Sequence, residues 1–158
     1  MGMSDYVRRL REKVGHDLLF WPSVVCLVRD DGDRVLLVRH AEEGWWTLPG
    51  GAIDPGESPA EAARREALEE ASVEVELLGL AGVFGGYPDF HGFYANGDEV
   101  AWVTTAFDAH ITAGTPAPGD DETGDVRWAT SAEAFTLELT PSARHILVQT
   151  GRGRAFDP

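Results

Sequence analysis

One helix is marked out in this chain more sharply than any other element. Ser58-Pro59-Ala60-Glu61 combines a capping box with proline at the first helical position, so a helix starts at Pro59. It is expected to run to about Ala71. Its inner side is made of Ala60, Ala63, Ala67 and Ala71, spaced at i, i+3, i+7 and i+11. Small side chains let a helix sit close against a sheet, and alanine itself favours the helix. Ser72 stands where a helix commonly ends on a left-handed glycine, and serine there costs about 1 kcal/mol of strain. A second side of the same helix carries Glu66, Glu69 and Glu70 at i, i+3 and i+4, three carboxylates on one face. Like charges at that spacing cost about 0.2–0.5 kcal/mol per pair. A hard cation such as Mg²⁺ reverses the sign, because it takes carboxylate oxygens and keeps its other positions for water and phosphate.

The rest of the chain alternates strands with helices. Residues 4–14 read as a short amphipathic helix, with Tyr6, Val7, Leu10 and Val14 at helical spacing. Residues 22–29 and 34–40 are β-rich runs joined by Asp30-Asp31-Gly32-Asp33, which predicts a hairpin. A short strand is expected over 45–49. The box helix is followed by strands over 73–80 and on to Phe84, a turn at 85–88, and a hairpin tip at Asn96-Gly97-Asp98. A long strand over 99–111, a flexible acidic loop over 114–125, a short strand at 126–128 and helices over 131–135 and 141–149 complete the reading. The pattern divides into an N-terminal helical segment (1–18), one α/β domain (19–150) and a disordered tail (151–158).

Composition bounds the partners. A net charge of −14 over 158 residues excludes a basic footprint for duplex DNA or RNA and opposes an anionic membrane surface. Such a chain still binds a nucleotide when metal ions neutralise the phosphates. No run approaches 18 apolar residues, and the N-terminus has no apolar core of a secretory signal, so a cytoplasmic protein is expected. Cys26, the one cysteine, lies in the apolar run SVVCLV and reads as a core residue.

Residues 51–73, GAIDPGESPAEAARREALEEASV, resemble the Nudix box, G-x5-E-x7-R-E-U-x-E-E-x-G-U. Gly51, Glu57, Arg65, Glu66, Ala67, Glu69, Glu70 and Val73 match as they stand; Ser72 replaces the late glycine. GWWTLPGG before the box and the strands from Val100 to Trp128 also look like the family, so the likeness spans roughly residues 20–150. The resemblance implies an α/β/α sandwich around a mixed β-sheet and attack of water on the diphosphate linkage of a nucleoside diphosphate derivative. ADP-ribose, nucleotide sugars, dinucleoside polyphosphates and nucleoside triphosphates all belong to the implied substrate range. It implies Mg²⁺, with Mn²⁺ as substitute, and allows a homodimer.

Site roles follow from the match. Glu66 and Glu70 are the expected metal ligands, with Glu69 a ligand, a holder of metal-bound water or the base. Glu57 reaches the metal through water, and Arg65 pairs with Glu57 or Glu69 to fix the carboxylates. The Gly50 carbonyl completes the metal shell, and Gly51 lets the backbone approach phosphate. Glu122 is the expected general base, with Asp121 and Glu99 as alternatives. Arg39 and His40 are candidate phosphate contacts. Trp46, Tyr87 and His91, with Phe90 and Phe93, are candidate contacts to the substrate's base. Two rival classes share the fold. A non-catalytic nucleotide sensor could dispense with one of the three helix glutamates, and all are present. An isoprenyl diphosphate isomerase would want a pocket cysteine, for which Cys26 is badly placed.

Overall fold

A computed structural model describes residues 5–151; the expected tail beyond Gly151 lies outside them. The elements are α1 (Asp5–Val14), β1 (Leu19–Val28), β2 (Val35–His40), β3 (Trp46–Thr47), β4 (Gly50–Ala52), α2 (Pro59–Ala71), β5 (Val73–Gly85), β6 (His91–Phe93), β7 (Glu99–Gly114), β8 (Thr123–Ala129), α3 (Ser131–Ala134) and α4 (Pro141–Thr150). They form a mixed sheet in the order β4-β1-β7-β5, with β6 also on β7, and a second sheet in the order β3-β2-β8. Helices cover both sides, giving the expected α/β/α sandwich.

Two cores explain the apolar runs. Val24, Cys26 and Val28 of β1 and Leu36 and Val38 of β2 pack with α2. Leu27 of β1 and Val35 and Leu37 of β2 point the other way, into a core with Ile146 and Leu147 of α4. Side chains alternate across a strand, so a strand covered on both faces must be apolar at every position. Burying each such side chain contributes about 1.5–3 kcal/mol.

The box helix has the boundaries its sequence dictates. The Ser58 hydroxyl accepts the Glu61 N–H, and the Glu61 carboxylate accepts the Ser58 N–H at 2.9 Å. Ser72 closes the helix in the left-handed region at φ 56°, ψ 32°. The buried alanines are Ala62, Ala63, Ala67 and Ala71, so Ala62 takes the place expected for Ala60.

The predicted hairpin is only a turn. The Asp30 carboxylate accepts the N–H groups of Gly32 and Arg34, and Arg29 bridges Val35, but the two strands then part into different sheets. β1 runs parallel to β7 over ten residue pairs, while β2 lies between β3 and β8. Parting puts each apolar strand in the middle of its own sheet, where both faces are covered. Two short strands escape the sequence reading, β4 and β6. β4 follows directly on the strand expected over 45–49 and pairs with Val24 and Val25, and a Cβ on Gly50 would collide with the Val24 carbonyl.

The acidic loop after β7 is laid against the end of α2. Ala117 and Gly119 donate backbone N–H groups to the carbonyls of Ala71 and Glu70, at 3.1 and 3.3 Å. These are among the last helix carbonyls, which lack intrahelical partners. At the other end of the chain, α1 packs on the domain. Arg11 donates to the Glu99 carbonyl at 2.7 Å and pairs with the buried Asp98 at 3.3 Å.

Candidate active site

The helix glutamates do not share one environment. Glu66 and Glu70 are 4% and 5% exposed, while the Glu69 side chain is half exposed. Packing of the alanine face on β1 and β2 draws the neighbouring carboxylates under cover. Arg65 holds the group together. Its guanidinium grips Glu57 at 2.8 and 3.0 Å, and reaches Glu66 at 2.8 Å, Glu69 at 3.1 Å and the Ala52 carbonyl at 3.1 Å. A planar guanidinium suits this bidentate grip where lysine would not. Arg65 therefore pairs with Glu57, Glu66 and Glu69 together, where the sequence suggested Glu57 or Glu69.

The charges carry a signature. Burial pushes the Glu70 carboxyl up to about 8, opposed by the Gly50 N–H that donates to it at 2.9 Å and reinforced by the charge of Glu66. Burial also raises Glu66, against the pull of Arg65. Glu57 is lowered, chiefly by its bonds to Arg65. Two carboxylates that resist ionisation while facing a cavity fit a hard divalent cation, whose charge would reverse both shifts. Among the described residues no three Asp, Glu, His or Cys side chains converge as a metal cluster. Arg65 takes one oxygen of Glu66 and the Gly50 N–H takes one oxygen of Glu70.

One cavity borders the helix and a second opens next to the first. The smaller, about 370 Å³, is lined by Arg65, Glu66, Glu69, Glu70, Asp120 and Val7 among others. The larger, about 730 Å³, opens beside it; Trp21, Glu42, Glu43, Ala52 and Tyr94 border both. Gly50, Gly51, His40, His91, Phe93, Asp121 and Glu122 all line the larger one. Glu57 lines neither and stands behind Arg65. Glu99 is engaged by the His91 ring nitrogen at 2.8 Å and lines neither cavity.

Several expected substrate contacts sit elsewhere. Trp46 is buried in the α4-side core, with the guanidiniums of Arg39 and Arg127 over its ring at 5.8 and 5.7 Å. Neither Arg39 of β2 nor its cross-strand partner Trp46 of β3 lines either of these cavities. Phe90 is a core residue at 1% exposure. Tyr87 is exposed and reaches the cavity only by stacking on His91, at 4.2 Å. Cys26 is buried, its thiol pushed up to about 12 by burial, which removes it as an acid or base. The sequence reading missed Asp120, Trp21, Trp102, Tyr94, Ser23 and Thr104. Alternation along β1 pointed at Trp21 and Ser23, since residues two apart share a face.

A NUDIX domain model matches residues 19–149. The chain belongs to the Nudix hydrolase family. This Nudix protein is 30% identical over 124 residues to the Nudix hydrolase YvcI of Bacillus subtilis (strain 168), covering 77% of this chain and 73% of that one. It is 30% identical over 137 residues to the nucleoside triphosphatase NudI of Salmonella agona (strain SL483), covering 82% and 96%. Among solved structures, the MutT NUDIX hydrolase from Burkholderia pseudomallei superposes with a TM-score of 0.68 at 28% identity, over 83% of this chain and 98% of that chain. The Nudix protein is thus a pyrophosphohydrolase acting on a nucleotide diphosphate-type substrate, in a family that generally uses divalent metals. Among the described residues no helix is long and apolar enough to cross a membrane.

Proposed function

We propose that this chain hydrolyses the diphosphate linkage of a nucleoside diphosphate derivative with Mg²⁺, which Mn²⁺ can replace, as a cytoplasmic enzyme. The observation that carries the reading is the pair of buried carboxylates, Glu66 and Glu70, on the wall of the smaller cavity. Glu66 and Glu70 would hold the cation, with Glu69 and the Gly50 carbonyl as further ligands. When bound, the metal neutralises phosphate charge and lowers the pKa of a water. Arg65 keeps Glu57, Glu66 and Glu69 at fixed distances and the Gly50 N–H anchors Glu70, so little reorganisation is left for the reaction itself. Glu57 acts through Arg65, since both its oxygens are taken up there. Glu122, on the wall of the larger cavity, takes the proton of the attacking water. Gly51 lets the backbone approach the phosphates, and His91 borders the substrate's organic part.

The test is product release from ADP-ribose, nucleotide sugars, dinucleoside polyphosphates and nucleoside triphosphates, each with Mg²⁺, Mn²⁺ or EDTA. Metal-dependent release from one class is expected. Metal-dependent binding of a nucleotide without release from any class would replace the hydrolase by a nucleotide sensor.

A further inference from the structure

Part of the smaller cavity's wall comes from outside the Nudix domain. α1 ends at Val14, ahead of the domain of residues 19–149. Yet Val7 of α1 is buried at 7% exposure and lines the cavity together with Arg65, Glu66, Glu69 and Glu70. Tyr94, Ala95 and Asn96 line it as well, and they belong to the tip between β6 and β7. That tip is closed on itself. The Tyr94 N–H donates to the Asp98 carbonyl at 3.0 Å, and the Gly97 N–H to the Tyr94 carbonyl at 2.8 Å. Val7 and the tip thus give the carboxylate cavity a stretch of wall with no charged side chain.

Arg11 ties the helix to the tip. Val7 and Arg11 stand at i and i+4, on one face of α1. The Arg11 guanidinium donates to the Gly15 and Asp17 carbonyls at 3.1 and 2.7 Å, and to the Glu99 carbonyl, 88 positions away, at 2.7 Å. Its Nε lies 3.3 Å from Asp98 Oδ2. A ring nitrogen of His16 also meets the Asp98 carboxylate, at 2.7 Å, and the Asn96 amide donates to it at 3.1 Å. The Arg11 and Asp98 side chains are 9% and 5% exposed. A buried ion pair adds little net stability, because desolvation offsets the attraction; what it can fix is a register. Here the register is that of α1 on the tip. Asn96 belongs to both the latch and the cavity wall.

We infer that Arg11 and Asp98 are positioning residues for the reaction: they lock α1 to the β6–β7 tip, so that Val7, Tyr94 and Asn96 confine the substrate's phosphates beside the carboxylate helix. The inference rests on the proposed function for what the cavity holds, a diphosphate and its metal. An uncharged wall keeps water away and strengthens the electrostatic contacts inside. It meets no reacting bond and bears on bound substrate and transition state alike, so its loss is read in KM.

Steady-state kinetics on the full chain test this, beside calorimetry with the Mg²⁺ complex of α,β-methylene-ADP, whose bridging carbon resists hydrolysis. Arg11→Gln and Asp98→Asn should each raise KM about tenfold, with kcat lowered less than about threefold. The double variant should be no worse than either single one, because both act through one contact. Arg11→Lys should recover part of the loss, since lysine keeps the charge but not the fork. Val7→Ala leaves the latch whole and should raise KM about threefold. Affinity for the analogue should fall in the same order. Thermal unfolding of each variant fixes an assay temperature below its transition, so lost fold is not read as lost binding. KM and analogue affinity within about twofold of the parent in all three folded single variants, Arg11→Gln, Asp98→Asn and Val7→Ala, overturn the inference. So does a fall in kcat at unchanged KM. Analogue binding that follows the expected order, without product release from any substrate, would sink the hydrolase reading and leave the latch standing.

Discussion

The two cavities are built in opposite ways. The carboxylate cluster on the wall of the smaller cavity is a property of one segment: Arg65, Glu66, Glu69 and Glu70 come from two turns of α2, and Glu57 joins them behind Arg65 from the loop before it. The aromatic cavity is assembled from β1, the loop after β2, the β6–β7 hairpin, β8's approach and the start of α4. The first is dense with charge and internally satisfied by Arg65. The second is wide and lined by aromatic rings and by carboxylates from several loops. A machine for one chemical step can be written in a short sequence, while a pocket that chooses a substrate depends on how distant segments meet. Substitutions in the two regions should therefore differ in kind, the first lowering turnover for every substrate and the second changing the ranking among substrates.

The largest effect is expected from Glu70→Gln. It should lower kcat at least about 10²-fold, on any substrate, because it removes charge where a metal must be held. Stability should not fall, since the neutral side chain loses no favourable ionisation at a site where burial opposes charge. Steady-state kinetics beside thermal unfolding check both parts. Glu69→Gln should reduce kcat by a comparable factor if the half-exposed carboxylate is a ligand; near-normal turnover in both variants would detach the chemistry from α2.

Arg65→Lys comes next. Lysine cannot hold Glu57 bidentately while reaching Glu66, Glu69 and the Ala52 carbonyl, so kcat should fall about tenfold with KM nearly unchanged. A loss confined to KM would mean that Arg65 serves substrate binding and not the carboxylates.

The third prediction is a pH dependence. The folded metal-free protein keeps a proton on Glu70 up to about 8, whereas the unfolded chain releases it near the ordinary carboxyl value of 4.5. Between those values the folded state binds more protons, so stability falls as pH rises, by at most about 1.4 kcal/mol per pH unit from this group. Glu66 acts in the same direction, and Glu57, lowered by Arg65, in the opposite one. Mg²⁺ should flatten the decline and bind more tightly toward pH 8. Denaturant unfolding from pH 5 to pH 8.5, with and without Mg²⁺, reads both; stability rising across that range without metal would contradict the burial of Glu70.

The smallest effect tests the helix end. Ser72→Gly removes a side chain from a left-handed position and should stabilise by about 1 kcal/mol, raising Tm by about 2–4 °C with activity unchanged.

What the sequence could disclose follows the same division. The limits of α2, the left-handed Ser72 and the carboxylates of one face were legible because caps, helical periodicity and charge spacing act within a few residues. The turn at 30–33 was legible too, but its partners were not, since the choice of sheet for β1 is made by residues 81 positions away in β7. Trp46 was misplaced for a related reason. Its neighbour Trp45 faces the larger cavity, and the sequence alone does not say which of two adjacent tryptophans turns inward. Alternation along β1 puts Ser23 on one face with Trp21, but nothing local pairs it with Thr104. Each is an ordinary hydroxyl until the parallel register sets them side by side.

The seam between Ala117–Gly119 and the last turn of α2 has an engineering consequence. A Cβ on Gly119 would run into the Glu69 carbonyl, so the backbone there has no room to be rebuilt. Asp120 and Glu122 hang from that seam and travel with the helix that carries Glu69 and Glu70. A peptide tag spliced between Ala117 and Asp120 would therefore strike at both ends of the reaction, whereas the exposed turn at Asp31-Gly32 offers the same graft a place far from the chemistry.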